Sequence, residues 1–143
     1  MKWVLRIVVA LIAIVGLLAL VGYFLPVNHE ASRSAEFNKP PQEVFALISD
    51  LPNYKQWWPE NETKVAVVES VAPTRFVTKI VDETAFGGTW TIDVAPLTKG
   101  SRVTVTERGE VYNVIFRTLS KFVFGHTATM ECFLTAAQKK LST

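Results

Sequence analysis

The stretch that decides the fold is His126-Thr-Ala-Thr-Met-Glu-Cys-Phe-Leu-Thr-Ala-Ala-Gln-Lys-Lys-Leu141, near the C-terminus. Its apolar residues recur at the spacing of one helix face, and they are Met130, Phe133, Leu134, Ala137 and Leu141. Gly125 precedes the stretch, and two lysines occupy its last turn, where cations suit the negative end of the helix dipole. The pattern predicts an amphipathic helix that must bury its apolar face against another element.

Most of the sequence before this helix is strand-like. Apolar and polar residues alternate most cleanly from Trp90 to Val94 and from Val103 to Val111. Weaker strand patterns occupy residues 31–38, 63–71 and 76–81, and the predicted turns lie at residues 72–74, 87–88 and 99–101. Five strands, four of them consecutive, indicate an antiparallel meander. The economical architecture is an α+β fold in which an antiparallel sheet curves around the long C-terminal helix.

Two shorter helical patterns separate the first strand from the meander. Lys39-Pro-Pro-Gln-Glu43 opens a helix that should end near Asp50, because proline is tolerated in a first turn. A short helical turn follows and carries the adjacent Trp57 and Trp58. We expect one of these indoles to pack inside the protein and its neighbour to face outward, where it could touch lipid or a partner.

The N-terminal residues 7–25 contain no charged side chain. These nineteen residues, wound as a helix, span roughly 28 Å, close to the hydrocarbon thickness of a bilayer. The run is longer than a usual signal-peptide core, and the Phe24-Leu-Pro-Val-Asn-His29 sequence at its end offers no small-x-small cleavage site, so we expect a retained single-pass membrane anchor. Basic residues flank its N-terminal side, which favours a cytoplasmic N-terminus and an extracytoplasmic domain in the cell membrane. The expected division is an anchor, residues 1–26, and one domain, residues 27–143.

Charge and cysteine content exclude several functions. Lys2 and Arg6 precede the charge-free run and belong to the anchor. Without them the fifteen basic residues become thirteen, against thirteen acidic residues. A formally neutral domain gives no reason to expect nucleic-acid binding, which needs a basic face. Cys132 is the only cysteine and cannot form an internal disulfide; its place beside Phe133 predicts a small buried residue.

Motifs for metal or nucleophilic chemistry are missing from the sequence. His29 and His126 are far apart, and Cys132 follows His126 by six residues, a spacing that turns the two side chains apart on a helix. Neither a Gly-x-Ser-x-Gly elbow nor a glycine-rich phosphate loop occurs. We therefore expect no metal site and no cofactor.

The order of these elements resembles the helix-grip fold of the START-like superfamily, over about residues 30–143. Four segments are similar to its polyketide cyclase/dehydrase (SRPBCC) branch: Pro40-Pro-Gln-Glu-Val-Phe-Ala-Leu-Ile-Ser-Asp50, Leu51-Pro-x-Tyr-x-x-Trp57, Gly88-Thr-Trp-Thr-Ile-Asp-Val94 and Gly100-Ser-Arg-Val-Thr-Val-Thr-Glu107. The resemblance implies a deep apolar cavity between sheet and long helix, used for lipids, sterols, polyketides or similar molecules. It does not imply one activity, because members include carriers, receptors and cyclases.

Strand parity and this resemblance together give a set of candidate ligand-contacting residues. They are Phe76, Trp90, Ile92, Val94, Val103, Val105, Glu107, Tyr112, Phe116, Leu119, Met130, Phe133 and Leu134. The aromatic members Trp90 and Tyr112 are either cavity wall or ordinary core.

Glu107 is the most informative of these residues. It shares a strand face with Val103, Val105 and Val111, so it points into the cavity if that face lines one. A carboxyl group placed there is a candidate general acid or base, or an anchor for a ligand hydroxyl. The alternative is a structural carboxylate near the strand end, beside a bulge at Gly109, paired with Arg75, Arg117 or solvent.

Residues 113–125, between the last strand and the long helix, are amphipathic if wound as a helix. The apolar arc contains Ile115, Phe116, Leu119, Phe122 and Val123, and the polar side contains Arg117, Ser120 and Lys121. One interpretation is that the segment packs permanently over the cavity mouth. The other is a gate that swings into a bilayer while its basic residues meet anionic head groups.

Three functions fit these observations. The first is a membrane-anchored, non-enzymatic module that holds a hydrophobic small molecule; the second is a cyclase- or dehydrase-type enzyme with Glu107 as acid/base. The third is a structural or partner-binding domain with a filled core. The sequence offers one candidate catalytic residue without a second group at a recognisable spacing, which favours the first function. The sequence indicates no particular protein partner.

Overall fold

A five-stranded antiparallel sheet in the order β1-β5-β4-β3-β2 organises the computed structural model, which describes residues 1–142. The strands are β1 (Asn28–Phe37), β2 (Val65–Val71), β3 (Arg75–Ile80), β4 (Phe86–Pro96) and β5 (Ser101–Val111). Strands β2 to β5 form the predicted meander, and β1 pairs with β5 at the far edge. The α+β architecture is therefore confirmed.

Helices lie before, within and after this sheet. They are α1 (Lys2–Phe24), α2 (Pro41–Ile48), α3 (Tyr54–Trp57), α4 (Val114–Leu119) and α5 (Ala128–Leu141). A 3-10 turn, Leu51–Asn53, precedes α3, and a π-helical turn, Ser120–Phe124, continues α4. The predicted C-terminal helix is present and begins two residues later than its sequence pattern suggested.

The core lies between the sheet and α5. Met130, Phe133 and Ala137 of α5 are fully buried, as the helical spacing predicted. They meet Val103 and Val105 of β5 and other inward side chains of the sheet, while α2 closes the same core from its side. This arrangement fixes which strand residues face inward, and it leaves unfilled space at one end of the sheet.

Two local expectations are wrong. The Gly87-Gly88 pair lies inside β4 and does not form a turn; the connection from β3 to β4 comes earlier, at residues 81–85. Position 88 requires glycine for two reasons. Its φ of 133° is one that residues with a side chain rarely adopt, and a Cβ atom there would overlap the Arg108 carbonyl. Cys132 is exposed, because it stands about 100° around α5 from buried Phe133.

The two tryptophans also differ from expectation. Trp58 is buried, but Trp57 is half-buried, with its ring packed against Tyr54 and Phe133. The short α3 therefore presents no freely exposed indole for lipid or a partner.

Helix α1 extends away from the domain. It has 23 residues, is apolar enough to cross a membrane, and its most apolar window is 0% buried by the rest of the protein. Only its C-terminal end meets the domain within the part of the chain that the structure describes, through contacts with α4.

Candidate functional site

A cavity of about 260 Å³ lies between the inner face of the sheet and the elements that precede and follow it. Strands β3 and β4 supply one wall, and α3 with the following loop supplies another. Its lining residues are Leu51, Tyr54, Trp58, Asn61, Thr63, Val65, Thr78, Ile80, Phe86, Trp90, Ile92, Glu107 and Thr129. Most of this lining is apolar, and among the described residues that border the cavity Glu107 is the one carboxylate.

Both oxygens of the Glu107 carboxylate are engaged. The Trp90 indole Nε1–H donates to Glu107 Oε2 at 2.5 Å, and His29 Nε2 lies 2.8 Å from Glu107 Oε1. The side chains of Glu107 and His29 are only 19% and 17% exposed. An ionised Glu107 accepts from both rings, which fixes its position at the edge of the cavity.

Sheet register explains this grouping. Trp90 on β4 stands directly opposite Glu107 on β5, and His29 on β1 is opposite Gly109, diagonally adjacent to Glu107. A Cβ atom at Gly109 would overlap the His29 imidazole, so glycine at this position makes room for the ring. The pairings of β5 run through Gly109 without a shift, so the expected bulge is absent there.

The structural alternative paired Glu107 with Arg75, Arg117 or solvent, and neither arginine is its partner. Arg75 instead pairs with Asp93 at 2.7 Å, and Arg117 donates to backbone carbonyls. Sequence reasoning missed His29 as the partner, because nothing in a single sequence indicates that the first strand pairs with the last.

His126 completes the polar end of the site. Its ring stacks on His29 with centroids 3.8 Å apart and an interplanar angle of 18°. Burial lowers the pKa of His126, and the neighbouring His29 lowers it further. His126 is therefore neutral at pH 7, and the stack does not place two cations in contact at that pH.

The two stacked rings also bear on metal binding. Their ring nitrogens lie in nearly parallel planes, so their lone pairs do not converge on a common point. Among residues 1–142, no group of three His, Cys, Asp or Glu side chains is placed to hold a metal ion.

The predicted ligand-contacting residues fall into three groups. Trp90, Ile92 and Glu107 border the cavity. A second group forms the packed core behind it: Phe76, Val94, Val103, Val105, Met130, Phe133 and Leu134. The third group lies beyond the strand end, where Tyr112 and Phe116 are exposed and Leu119 is half-buried.

Tyr112 is neither cavity wall nor core. It follows the last residue of β5, so its side chain turns outward, and its hydroxyl donates to Glu110 at 2.5 Å. This bond raises the pKa of Tyr112.

Several lining residues were missed. Tyr54 is buried, donates its hydroxyl to the Ile48 carbonyl and turns its ring toward the cavity. Burial raises the pKa of Tyr54, and Asp50 adds to the effect, so it remains a neutral donor. The Leu51-Pro-x-Tyr pattern placed this residue on a helical turn but carried no signal for which core surface the turn would cover.

Two smaller cavities continue from the main one. One, of about 170 Å³, shares Phe86, Glu107 and Thr129 with it and also reaches His126, Phe116 and Ser120. The next, of about 160 Å³, shares His29 and His126 with the second and ends at Leu25 and Pro26. The polar trio of Glu107, His29 and His126 therefore lies between the apolar cavity and the end of α1.

Comparison with known proteins gives matches at the level of structure alone. No protein-family model and no curated protein matches the sequence. The START superfamily protein from Mycobacterium smegmatis superposes with a TM-score of 0.64 at 16% identity, covering 80% of this chain and 97% of that one. The Polyketide_cyc-like protein from Corynebacterium glutamicum gives 0.54 at 17% identity, covering 82% and 94%.

A third similar structure is the di-domain ARO/CYC protein BexL from the BE-7585A biosynthetic pathway. Its TM-score is 0.63 at 10% identity, and the match covers 86% of this chain and 53% of BexL. The chain thus spans about half of that protein. At such identities the likeness establishes the fold and not the activity. The protein has the SRPBCC/START-like helix-grip fold.

Proposed function

We propose that this protein is a membrane-anchored binding module that holds a hydrophobic small molecule in the cavity beneath the sheet. The observation that carries the proposal is an apolar cavity with a single carboxylate, Glu107, fixed at its edge by Trp90 and His29. Ligand pockets typically combine apolar walls with a few oriented polar groups. The ligand class that fits is a lipid, sterol or polyketide-like molecule with one hydroxyl or similar donor directed at Glu107.

Anchoring is supported by the exposure of α1. A core helix of a soluble domain buries its apolar residues, whereas the most apolar window of α1 is 0% buried. Export signals also have basic starts and apolar runs, and the absence of a small-x-small site in residues 24–29, directly at the end of the run, favours retention. Lys2 and Arg6 lie in the first turns of α1, before its charge-free run, and they favour an N-terminus in the cytoplasm and a domain outside it.

An enzyme of cyclase or dehydrase type is the second candidate. The observation in its favour is the contact between His29 and Glu107, which supplies the second titratable group that sequence reasoning lacked. Such a pair at a cavity edge can move a proton to or from a bound molecule. The neighbour described as ARO/CYC has this fold, and its chemistry is a hypothesis for the present chain.

Native mass spectrometry of the detergent-extracted full chain tests the binding function. We expect a retained adduct of a few hundred daltons that dissociates as a neutral, apolar molecule. If the measured mass equals that of the polypeptide alone, even after the mildest extraction, no molecule is bound and the filled-core interpretation is favoured. If the adduct is recovered in two masses related by loss of water, the cyclase or dehydrase function gains support instead.

A further inference from the structure

Helix α4 is attached to the last turns of α1. Thr118 Oγ1 donates to the Leu18 carbonyl at 2.6 Å, and Arg117 Nη1 donates to the carbonyls of Gly22 at 2.9 Å and Leu25 at 3.4 Å. The Gly22 carbonyl also accepts from the Leu25 N–H at 3.2 Å, whereas the Leu25 carbonyl lies at the helix end, where carbonyls lack an intrahelical donor. The guanidinium therefore gives both carbonyls a side-chain partner. The gate hypothesis assigned Arg117 to lipid head groups, and these bonds show that it is already occupied.

The two helices approach each other closely at Gly22. This residue is buried, and a Cβ atom placed on it would overlap the backbone carbonyl of Val114. Small residues permit such close helix contacts within membranes. Gly16, two turns earlier, would meet nothing within 4 Å, so the contact is specific to the end of α1.

The segment that follows this contact presents apolar side chains outward. Phe122, Val123 and Phe124 are 65%, 67% and 63% exposed, and Phe116 is also exposed. Neither interpretation made from sequence describes this arrangement. The residues that meet α1 are Val114, Arg117 and Thr118, while Phe116, Phe122 and Val123 of the apolar arc are exposed. The end of α1 adds two more exposed aromatic residues, Tyr23 and Phe24.

The depth of the contact follows from helix geometry. The charge-free residues 7–25 measure roughly 28 Å along a helix, close to a hydrocarbon core of about 30 Å, so the end of α1 lies at the far boundary of that core. Leu18 lies about 9 Å before Phe24 along the helix axis. A segment bonded to Leu18 and Gly22 is therefore held at the interface, where aromatic residues are enriched.

We propose that the bilayer around α1 also covers residues 122–124, so that the segment from Val114 to Phe124 lies in the membrane interface as a fixed platform. This inference rests on the proposed anchoring. Exposed Lys121 on the same turn is left free to meet a head group, while Arg117 is engaged with α1.

The platform places an opening of the site against lipid. The second cavity is bordered by Phe116 and Ser120 of the platform and by Glu107, and the third ends at Leu25 and Pro26. A hydrophobic ligand would then pass between bilayer and cavity beside Glu107, without crossing water.

Depth measurements by spin labelling test this arrangement. The full chain with Cys132→Ser is reconstituted in phosphatidylcholine/phosphatidylglycerol nanodiscs and labelled singly at Leu17→Cys, Val123→Cys or Val68→Cys. Val68 is 60% exposed on edge strand β2 and serves as the aqueous control. We expect labels at 17 and 123 to be several-fold more accessible to oxygen than to a water-soluble nickel chelate, and the label at 68 to show the reverse.

The outcomes separate the platform from the anchor. A lipid-exposed label at 17 with a water-exposed label at 123 would overturn the platform and leave the anchor intact. Water exposure at both positions would overturn both. Labels that are lipid-exposed at 17 and 123 support both.

Gly22→Ala and its control Gly16→Ala test the docking contact, using the label at 123. We expect Gly22→Ala to shift that label toward water, because the added methyl pushes α4 away, and Gly16→Ala to leave it unchanged. If Gly22→Ala fails to express, Thr118→Val removes the bond to Leu18 and should give a smaller shift in the same direction. An unchanged depth in the expressed variant would refute docking as the cause.

Discussion

At the scale of single residues, Glu107 carries the largest share of the proposed chemistry. Replacing it with Gln keeps the shape but removes the charge that accepts from Trp90 and His29. We expect a loss of about 1–2 kcal/mol in stability, since hydrogen bonds to charged groups contribute about 1.5–3 kcal/mol and this one is partly exposed. The retained ligand should also decrease. Thermal unfolding and native mass spectrometry measure the two effects.

Glu36→Gln is the matched control for that substitution. Glu36 pairs with Arg102 on the outer surface and its side chain is 64% exposed, so its change should cost under about 1 kcal/mol. If the two substitutions change the stability and the amount of retained ligand equally, Glu107 contributes no more than an ordinary surface ion pair.

His126 gives a prediction about pH. Its pKa lies below the ordinary value of 6.5, because burial and His29 disfavour the charged form. The unfolded chain therefore binds more protons as pH falls through the range below about 6.5, and stability present above that pH is lost. We expect His126→Gln to flatten the fall in the melting temperature between pH 7.5 and 5. A slope identical to that of the parent protein would assign the acid sensitivity to other groups.

The contacts between individual site residues were the least predictable feature of the sequence. Strand alternation identified the face that carries Glu107, and the structure places Glu107 on that face at the cavity edge. The partners His29 and His126 were not predictable, because their proximity depends on pairing between β1 and β5 and on the loop before α5. Gly109 was considered as the site of a bulge. Its lack of a side chain instead leaves the space that the His29 ring fills.

At the scale of elements, α5 determines the stability of the domain. Phe133 is 0% exposed and contacts Tyr54, Trp58 and Trp90. Phe133→Ala should therefore cost about 3–5 kcal/mol, through lost burial and the cavity left behind. Cys132→Ala, one residue earlier on the exposed side, should stay within about 0.5 kcal/mol. Similar losses from both, measured by urea unfolding, would show that the α5 face is assigned incorrectly.

Elements with strong periodicity were the most predictable. The 3.6-residue pattern of α5 and the alternation of β4 and β5 each reflect one buried face. The Gly87-Gly88 pair was wrongly predicted to be a turn, because glycine also occurs within strands where another part of the backbone approaches closely. The amphipathic arc of residues 113–125 indicated a helix but not its neighbour, since the contact with α1 depends on Gly22 and Arg117.

At the scale of the whole molecule, Cys132 reports which side of the membrane the domain occupies. It is the only cysteine and is exposed, so a membrane-impermeant maleimide reaches it only from the side where the domain lies. We expect labelling of intact cells and none in the Cys132→Ser control. Labelling that requires lysis would place the domain in the cytoplasm and reverse the proposed topology.

The cavity is proposed to hold a hydrophobic molecule, and a bulky side chain that fills the cavity should prevent this binding. Ile80 lines the cavity, whereas its neighbour Lys79 points to the opposite, exposed face of β3. The measurement is native mass spectrometry of the full chain in three forms: unchanged, Ile80→Trp and Lys79→Trp. We expect a bound molecule in the unchanged and Lys79→Trp proteins and a large loss of it in folded Ile80→Trp. Equal retention by all three proteins would place the ligand elsewhere and contradict the claim.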